Sequence, residues 1–243
     1  MRQPKNADMV KATARERLYG QYGTTIGAAI LFAAIQLIIS NIVVVMVSPS
    51  NILTYIIYLL SLFLVDIFLG VFYSGMAYLY MNVIYAQPVS AKDFWHGFAS
   101  HPDKALVLQI PFSVAYMLQS VPLSVWLNFY RESGNVMMRN ILIAIAAVGL
   151  VMMIAFNLVF SQVFYLLQDF PDKSPEDIFR ISADLMNGNK FRLFKLYLSF
   201  IPMIILGILT FFIPLLWVNA YMEASQAAFY QDLIAVSSQN SME

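Results

Sequence analysis

Cysteine is absent from the 243 residues, which removes disulfides, thiol catalysis and thiolate metal sites together. Charge is scarce as well. Asp, Glu, Lys and Arg make up 12% of the chain, where a soluble domain carries about a quarter. Net charge is zero, so the basic face that a nucleic-acid binder needs is missing. There are two histidines, and no Walker A, G-x-S-x-G or H-E-x-x-H run occurs. What fills the chain instead is apolar: 60% of residues are hydrophobic and mean hydropathy is +0.70. Such a chain could not cover its surface in water, so it belongs to the membrane class.

A crossing helix needs about 20 apolar residues. Six runs qualify as candidates: 24–47, 52–86, 105–129, 141–167, 193–212 and 214–235. The expected fold is therefore all-α, a polytopic bundle of about six membrane helices forming a single domain over 1–243. The run 52–86 is broken only by Asp66. As one helix it would be about 52 Å long, against a hydrocarbon core of about 30 Å. It holds no proline or polar cluster to turn it, so one tilted or projecting helix is expected. The run 214–235 is the most polar of the six because it carries Glu223. Its other reading is an amphipathic helix outside the membrane. The apolar run after the basic first 23 residues is too long for the h-region of a signal peptide, and it reads as a retained first helix.

The 14 basic residues set the orientation. Five lie in 1–23, two in 87–104, two in 130–140 and five in 168–195, with none after Lys195. With 52–86 as one helix, twelve fall on one side and two on the other. The positive-inside rule makes the richer side cytoplasmic. Both ends are then expected in the cytoplasm, with the chain multi-pass in a bacterial cytoplasmic membrane.

Two connectors, QPVSAKDFWHGFASHPDK and PDKSPEDIFRISADLMNGNK, share a pattern. Each has a serine three residues before an aspartate (Ser90 and Asp93, Ser174 and Asp177), a capping-box-like start with acid in the first turn. Apolar residues follow, and each ends with Lys before the next run. Amphipathic interfacial helices are expected at about 90–100 and 174–188. The likeness suits an internal duplication of a hairpin plus interfacial helix. It equally suits the common needs of any cytoplasmic connector.

The C-terminal third reads LMNGNKFRLFKLYLSF, then ILTFFIPLLWVNAYMEASQAAFYQDL. This resembles a family of uncharacterised bacterial integral membrane proteins, domain of unknown function 975, which shows LM-x-GNK-[WF]-RLF-x-L-x-LSFI, then LT-x-GIG-LLW-x-x-PY and A-x-FY-x-x-L. The matching residues include Leu185, Met186, Gly188, Asn189, Lys190, Phe191, Arg192, Leu193 and Phe194, then Leu215, Leu216, Trp217, Tyr221, Ala228, Phe229 and Tyr230. Asp93, Phe94, Gly97 and Phe98 resemble its D-[LF]-F-x-GF element. The family's glycine-rich turn is Phe211–Pro214 here, and its proline before tyrosine is Ala220. The resemblance implies a multi-pass membrane protein of bacterial type and supplies no activity.

Asp66 and Glu223 are the candidate functional acids. A charge at bilayer depth costs at least about 2.5–3.5 kcal/mol, and no Lys or Arg lies in a core run to offset it. Such a pair would suit a proton- or cation-linked pathway. The structural alternative is a pair of neutral acids bonded to Ser, Tyr or backbone. His96 and His101 are five apart, not a ligand spacing on one helix face, so no metal or other cofactor is expected. Gly188 and Asn189 read as a left-handed helix stop, with Lys190, Arg192 and Lys195 at anionic headgroups. The first functional reading is a non-enzymatic protein of envelope upkeep or membrane partnership. Its partners would be lipids and a second copy or other membrane proteins, not nucleic acid. The alternative is a small transporter or permease-like protein using Asp66 and Glu223. An enzyme ranks last, since no catalytic nucleophile–base pair is evident.

Overall fold

The structure, a computed structural model, describes residues 4–47, 50–132 and 134–240, apart from the side chains of 239 and 240. Arg2 of the N-terminal basic group therefore lies outside the described residues. Every regular element among them is helical. Helix α1 is Ala7–Leu18, α2 Tyr22–Met46 and α3 Ile52–Ile84. A short 3₁₀ turn over Ala91–Trp95 leads into α4, His96–Ala99. Helix α5 is Pro102–Val125, closed by a π turn over Trp126–Tyr130. The rest are α6 Val136–Phe160, α7 Val163–Asp169, α8 Pro175–Leu185, α9 Lys190–Leu198, α10 Ile201–Leu209 and α11 Leu215–Asn240.

Local chemistry accounts for the ends. Asn51 caps α3 through a reciprocal pair with Thr54. Ser174 caps α8 with Pro175 in its first turn, where the missing proline N–H costs nothing. Gly188 has φ +75° and stops the chain between α8 and α9, the left-handed position glycine occupies without steric cost. Inside α3 nothing breaks the ladder, and its 33 residues make a rod about 50 Å long.

Five helices are long and apolar enough to cross a membrane: Tyr22–Met46, Ile52–Ile84, Pro102–Tyr130, Val136–Asp169 and Lys190–Leu209. Their outer faces leave Leu37, Val45, Ile52, Leu64, Val148 and Leu209 exposed, a surface that lipid covers and water would not. The sixth apolar run is helical but is not among the five. Its hydropathy falls because Glu223, Ser225, Gln226 and Asp232 lie along it. It packs against α1, α2 and α3, burying Ala220, Ala224, Ala227 and Ala228. Small residues let backbones approach closely, so α11 is an inner helix that needs little lipid-grade surface.

Helices α9 and α10 pair antiparallel with α11 about the turn 210–214. Gly207 meets Leu215, Phe200 meets Tyr221, Tyr197 meets Gln226 and Arg192 meets Asp232. Turns at 161–162 and 199–200 interrupt helices near one level, and a third turn, 19–21, follows α1. Lys11 reaches Ser199, and Gln226 reaches Ser161. Below that level the protein is densely packed, with the α3 residues Leu69, Leu79, Tyr80 and Ile84 buried. Beyond it α2 and α6 run on for 25 residues each, about 38 Å. Helix α10 has nine residues, about 14 Å.

The N-terminal 23 residues, read from the sequence only as a basic flank, contain α1. It buries Val10, Ala14 and Leu18 along α11. The two connectors fold differently. The first is a 3₁₀ turn plus one helical turn pressed into α3, and only the second, α8, forms an 11-residue helix.

Candidate functional site

Asp66 lies near the middle of α3 and faces α5. Ser113 Oγ donates to its Oδ2 at 2.6 Å and Gln109 Nε2 donates to the same oxygen at 3.2 Å. Gly70, one turn further along α3, allows this approach. A Cβ there would sit 2.6 Å from Gln109 Cβ and 2.8 Å from the Ala105 carbonyl, distances no real side chain tolerates. Ser113 and Gln109 are themselves buried, so the pair forms a fixed donor set for one carboxylate oxygen.

Glu223 lies on α11, half-buried, with no hydrogen bond or ion pair to its carboxylate among the described residues. Gln226, three residues on, is held on both sides. Tyr197 Oη donates to Gln226 Oε1 at 2.9 Å, and Gln226 Nε2 donates to the Ser161 carbonyl at 3.0 Å. That carbonyl is freed by the break between α6 and α7.

Both acids open into one cavity of about 810 Å³, within the 300–1,000 Å³ of small-molecule sites. Along α3 it extends from Leu59 to Ala77, about 27 Å of helix. Asp66, Tyr73 and Ala77 share that face of α3, and Gln109, Ser113, Tyr116 and Ser120 share the facing stripe of α5. Among the described residues, no Lys, Arg or His lines the cavity. Helices α2, α3, α5 and α6 pack in sequence order, and Phe194 and Tyr197 of α9 with Glu223 and Gln226 of α11 border the space near the helix breaks.

The other sequence candidates lie outside this cavity. Asp93 Oδ2 accepts from the Ser90 N–H and from Asn82 Nδ2, so it caps its turn. Phe94 is buried against Phe72, with ring centroids 5.4 Å apart, while Trp95 and Phe98 are exposed. Gly97 lies against α3 at Gly75, and a Cβ on it would collide with the Val71 carbonyl. Helical turns run over 91–99, within the 90–100 expected, and they pack tightly on α3. His96 stacks on Tyr78 at 3.6 Å between centroids. Burial there holds its pKa below the ordinary 6.5, with Asp93 opposing the shift. No group of three metal-ligating residues occurs among the described residues.

Arg192 departs from its expected place. It is not spread on a headgroup surface, because its guanidinium is consumed internally. Its Nη2 donates to Asp232 Oδ2 at 2.6 Å and to the Lys5 carbonyl at 2.7 Å, and its Nη1 donates to Asn189 Oδ1 at 2.6 Å. It lies over the Phe229 ring at 5.1 Å. The Lys5 N–H completes the knot by donating to Asp232 Oδ2 at 3.0 Å. Lys190 remains exposed at its tip of α9, and Lys195 lies over the Phe191 ring at 4.6 Å. Sequence reasoning missed Asp232, Gln109, Ser113 and Gln226. A signal existed for three of them: Gln109 and Ser113 are four apart, and Gln226 follows Glu223 by three, the spacing of one helix face.

A bundle with five helices long and apolar enough to cross a bilayer defines a multi-pass membrane protein. The chain belongs to the family described as "Protein of unknown function (DUF975)", whose model matches residues 1–237. No curated protein and no solved structure matches it.

Proposed function

We propose that this protein is a small permease-like membrane protein that takes a small solute into the cavity joining Asp66 to Glu223. The observation that supports this reading is that continuity: two acids on different helices share one space about 27 Å long, a largely apolar wall bearing a few polar groups. A purely structural partner in the envelope would have no need to place two costly acids on one such space. In this reading the Ser113 hydroxyl holds the Asp66 carboxylate in place, and the role is non-enzymatic.

In this reading α11 is a sixth membrane helix, half-shielded from lipid, and both termini lie in the cytoplasm of a bacterial cell. The Lys5–Asp232 contact keeps the two ends on one face whether the α10–α11 hairpin crosses fully or turns within the bilayer. The test is solute flux into proteoliposomes, screened over cationic, anionic and neutral solutes. Flux that is lost in Asp66→Asn is the expected result. Flux unchanged in that variant rejects the role of Asp66, and no flux with any solute rejects the permease reading.

A further inference from the structure

The cavity's chemistry narrows the solute class, and this step rests on the permease reading above. Its wall carries two carboxylic acids and, among the described residues, no basic side chain. Neither acid has an ion-pair partner among those residues. In a low-dielectric bundle an unpaired carboxylate must be balanced by a proton or by a cation. The remaining polar groups are hydroxyls and amides, which serve either sign of solute. The aromatic groups do not. Tyr73, Tyr116, Phe112, Phe164, Tyr165 and Tyr197 all border the same space, and the faces of such rings attract cations and repel anions. Small inorganic ions would gain little from that apolar wall, and they need several oxygen ligands at once. A cation with an apolar body matches both features.

We infer that the cavity selects small organic cations, with Asp66 and Glu223 as two anionic stations along an aromatic-lined path. Asp66, already fixed by Ser113 and Gln109, is the pre-organised station. Glu223, free of hydrogen bonds among the described residues, is the station able to reorient as the cation passes.

The absence of native cysteine allows a direct test in the intact protein. Ser120→Cys places one thiol on the cavity wall, and Glu132→Cys places an exposed reference thiol. In nanodiscs, each is reacted with methyl methanethiosulfonate (neutral), its ethyltrimethylammonium analogue and its ethylsulfonate analogue. The expected result is a cation-over-anion rate ratio for the cavity thiol at least tenfold above that for the reference thiol. It should fall towards the reference ratio when Asp66→Asn and Glu223→Gln are added. N-methyl-4-phenylpyridinium should protect the cavity thiol, while uncharged 4-phenylpyridine should not. Equal reaction with both charged reagents, or equal protection by the neutral compound, overturns the cation assignment but leaves a solute cavity standing. Failure of even the neutral reagent to react at the cavity thiol overturns both. If the double variant does not purify as a monodisperse protein, Glu223→Gln alone serves, with at least a threefold fall expected and no fall counting against the inference.

Discussion

Removing the positive charge at Arg192 should loosen the whole lower half of the protein. The Asp232 side chain is 0% exposed and Arg192 is 23% exposed, so the carboxylate depends on the guanidinium far more than the reverse. Asp232 Oδ1 already lacks a hydrogen-bond partner, and both described bonds converge on Oδ2. In Arg192→Met that carboxylate stays buried with only the Lys5 N–H. Breaking a buried pair in this way costs about 3–5 kcal/mol. Asp232→Asn should cost less, about 1–3 kcal/mol, because Arg192 keeps partial hydration, its bond to Asn189 and its ring contact with Phe229. The double variant Arg192→Met/Asp232→Leu should be more stable than the sum of the two single changes, since no charge is stranded. Chemical unfolding in detergent measures all three, and tryptic cleavage at Arg15 or Arg17 reports release of α1. An Arg192→Met protein within about 1 kcal/mol of the parent, or strictly additive changes, would refute the clamp.

Gly97→Ala should destabilise the protein strongly, because the new Cβ meets the Val71 carbonyl and two backbones must separate; the equivalent change at exposed Gly134, with open space around it, gives the size of the left-handed backbone effect alone. Thermal melts compare them, and a smaller loss at Gly97 would contradict the tight packing on α3. For His96, both folded and unfolded chains are neutral above its ordinary value of 6.5. Below that value only the unfolded chain gains the proton, so stability declines until the pH passes the lower folded value. His96→Phe keeps a ring on Tyr78 and should flatten the melting-temperature decline between about pH 7.5 and 5.5; identical slopes would remove the buried stack as its cause. Single cysteines introduced as Lys173→Cys and Glu132→Cys should label from opposite sides of intact cells, the second from outside. Labelling of both by an impermeant reagent would overturn the topology.

Much of the fold was legible because the bilayer imposes a simple rule. Backbone polar groups must be satisfied within a segment, so a long apolar run such as 52–84 has helix as its only open-ended solution. Gly188 was legible for a similar reason, since a glycine between two helical runs has few other uses. The helical turns at 91–99 were legible from the Ser90–Asp93 cap, but their docking on α3 was not, because it rests on Gly75, on another helix, which receives Gly97.

The sequence by itself determined the solvent: with so few charges and such long oily runs, only lipid can surround this chain. It also marked Asp66 and Glu223 as costly and therefore worth explaining. Only the tertiary structure decided that they share one space. That outcome depends on the antiparallel pairing of α9 with α11 that sets Tyr197 beside Gln226, on Gly70 letting α5 approach α3, and on a break at Ser161 that frees a carbonyl for Gln226. Arg192 shows the same division. Its charge was plain, but its partner was set by antiparallel packing that brings residues 40 positions apart within hydrogen-bond distance, and local patterning carries no record of such a meeting.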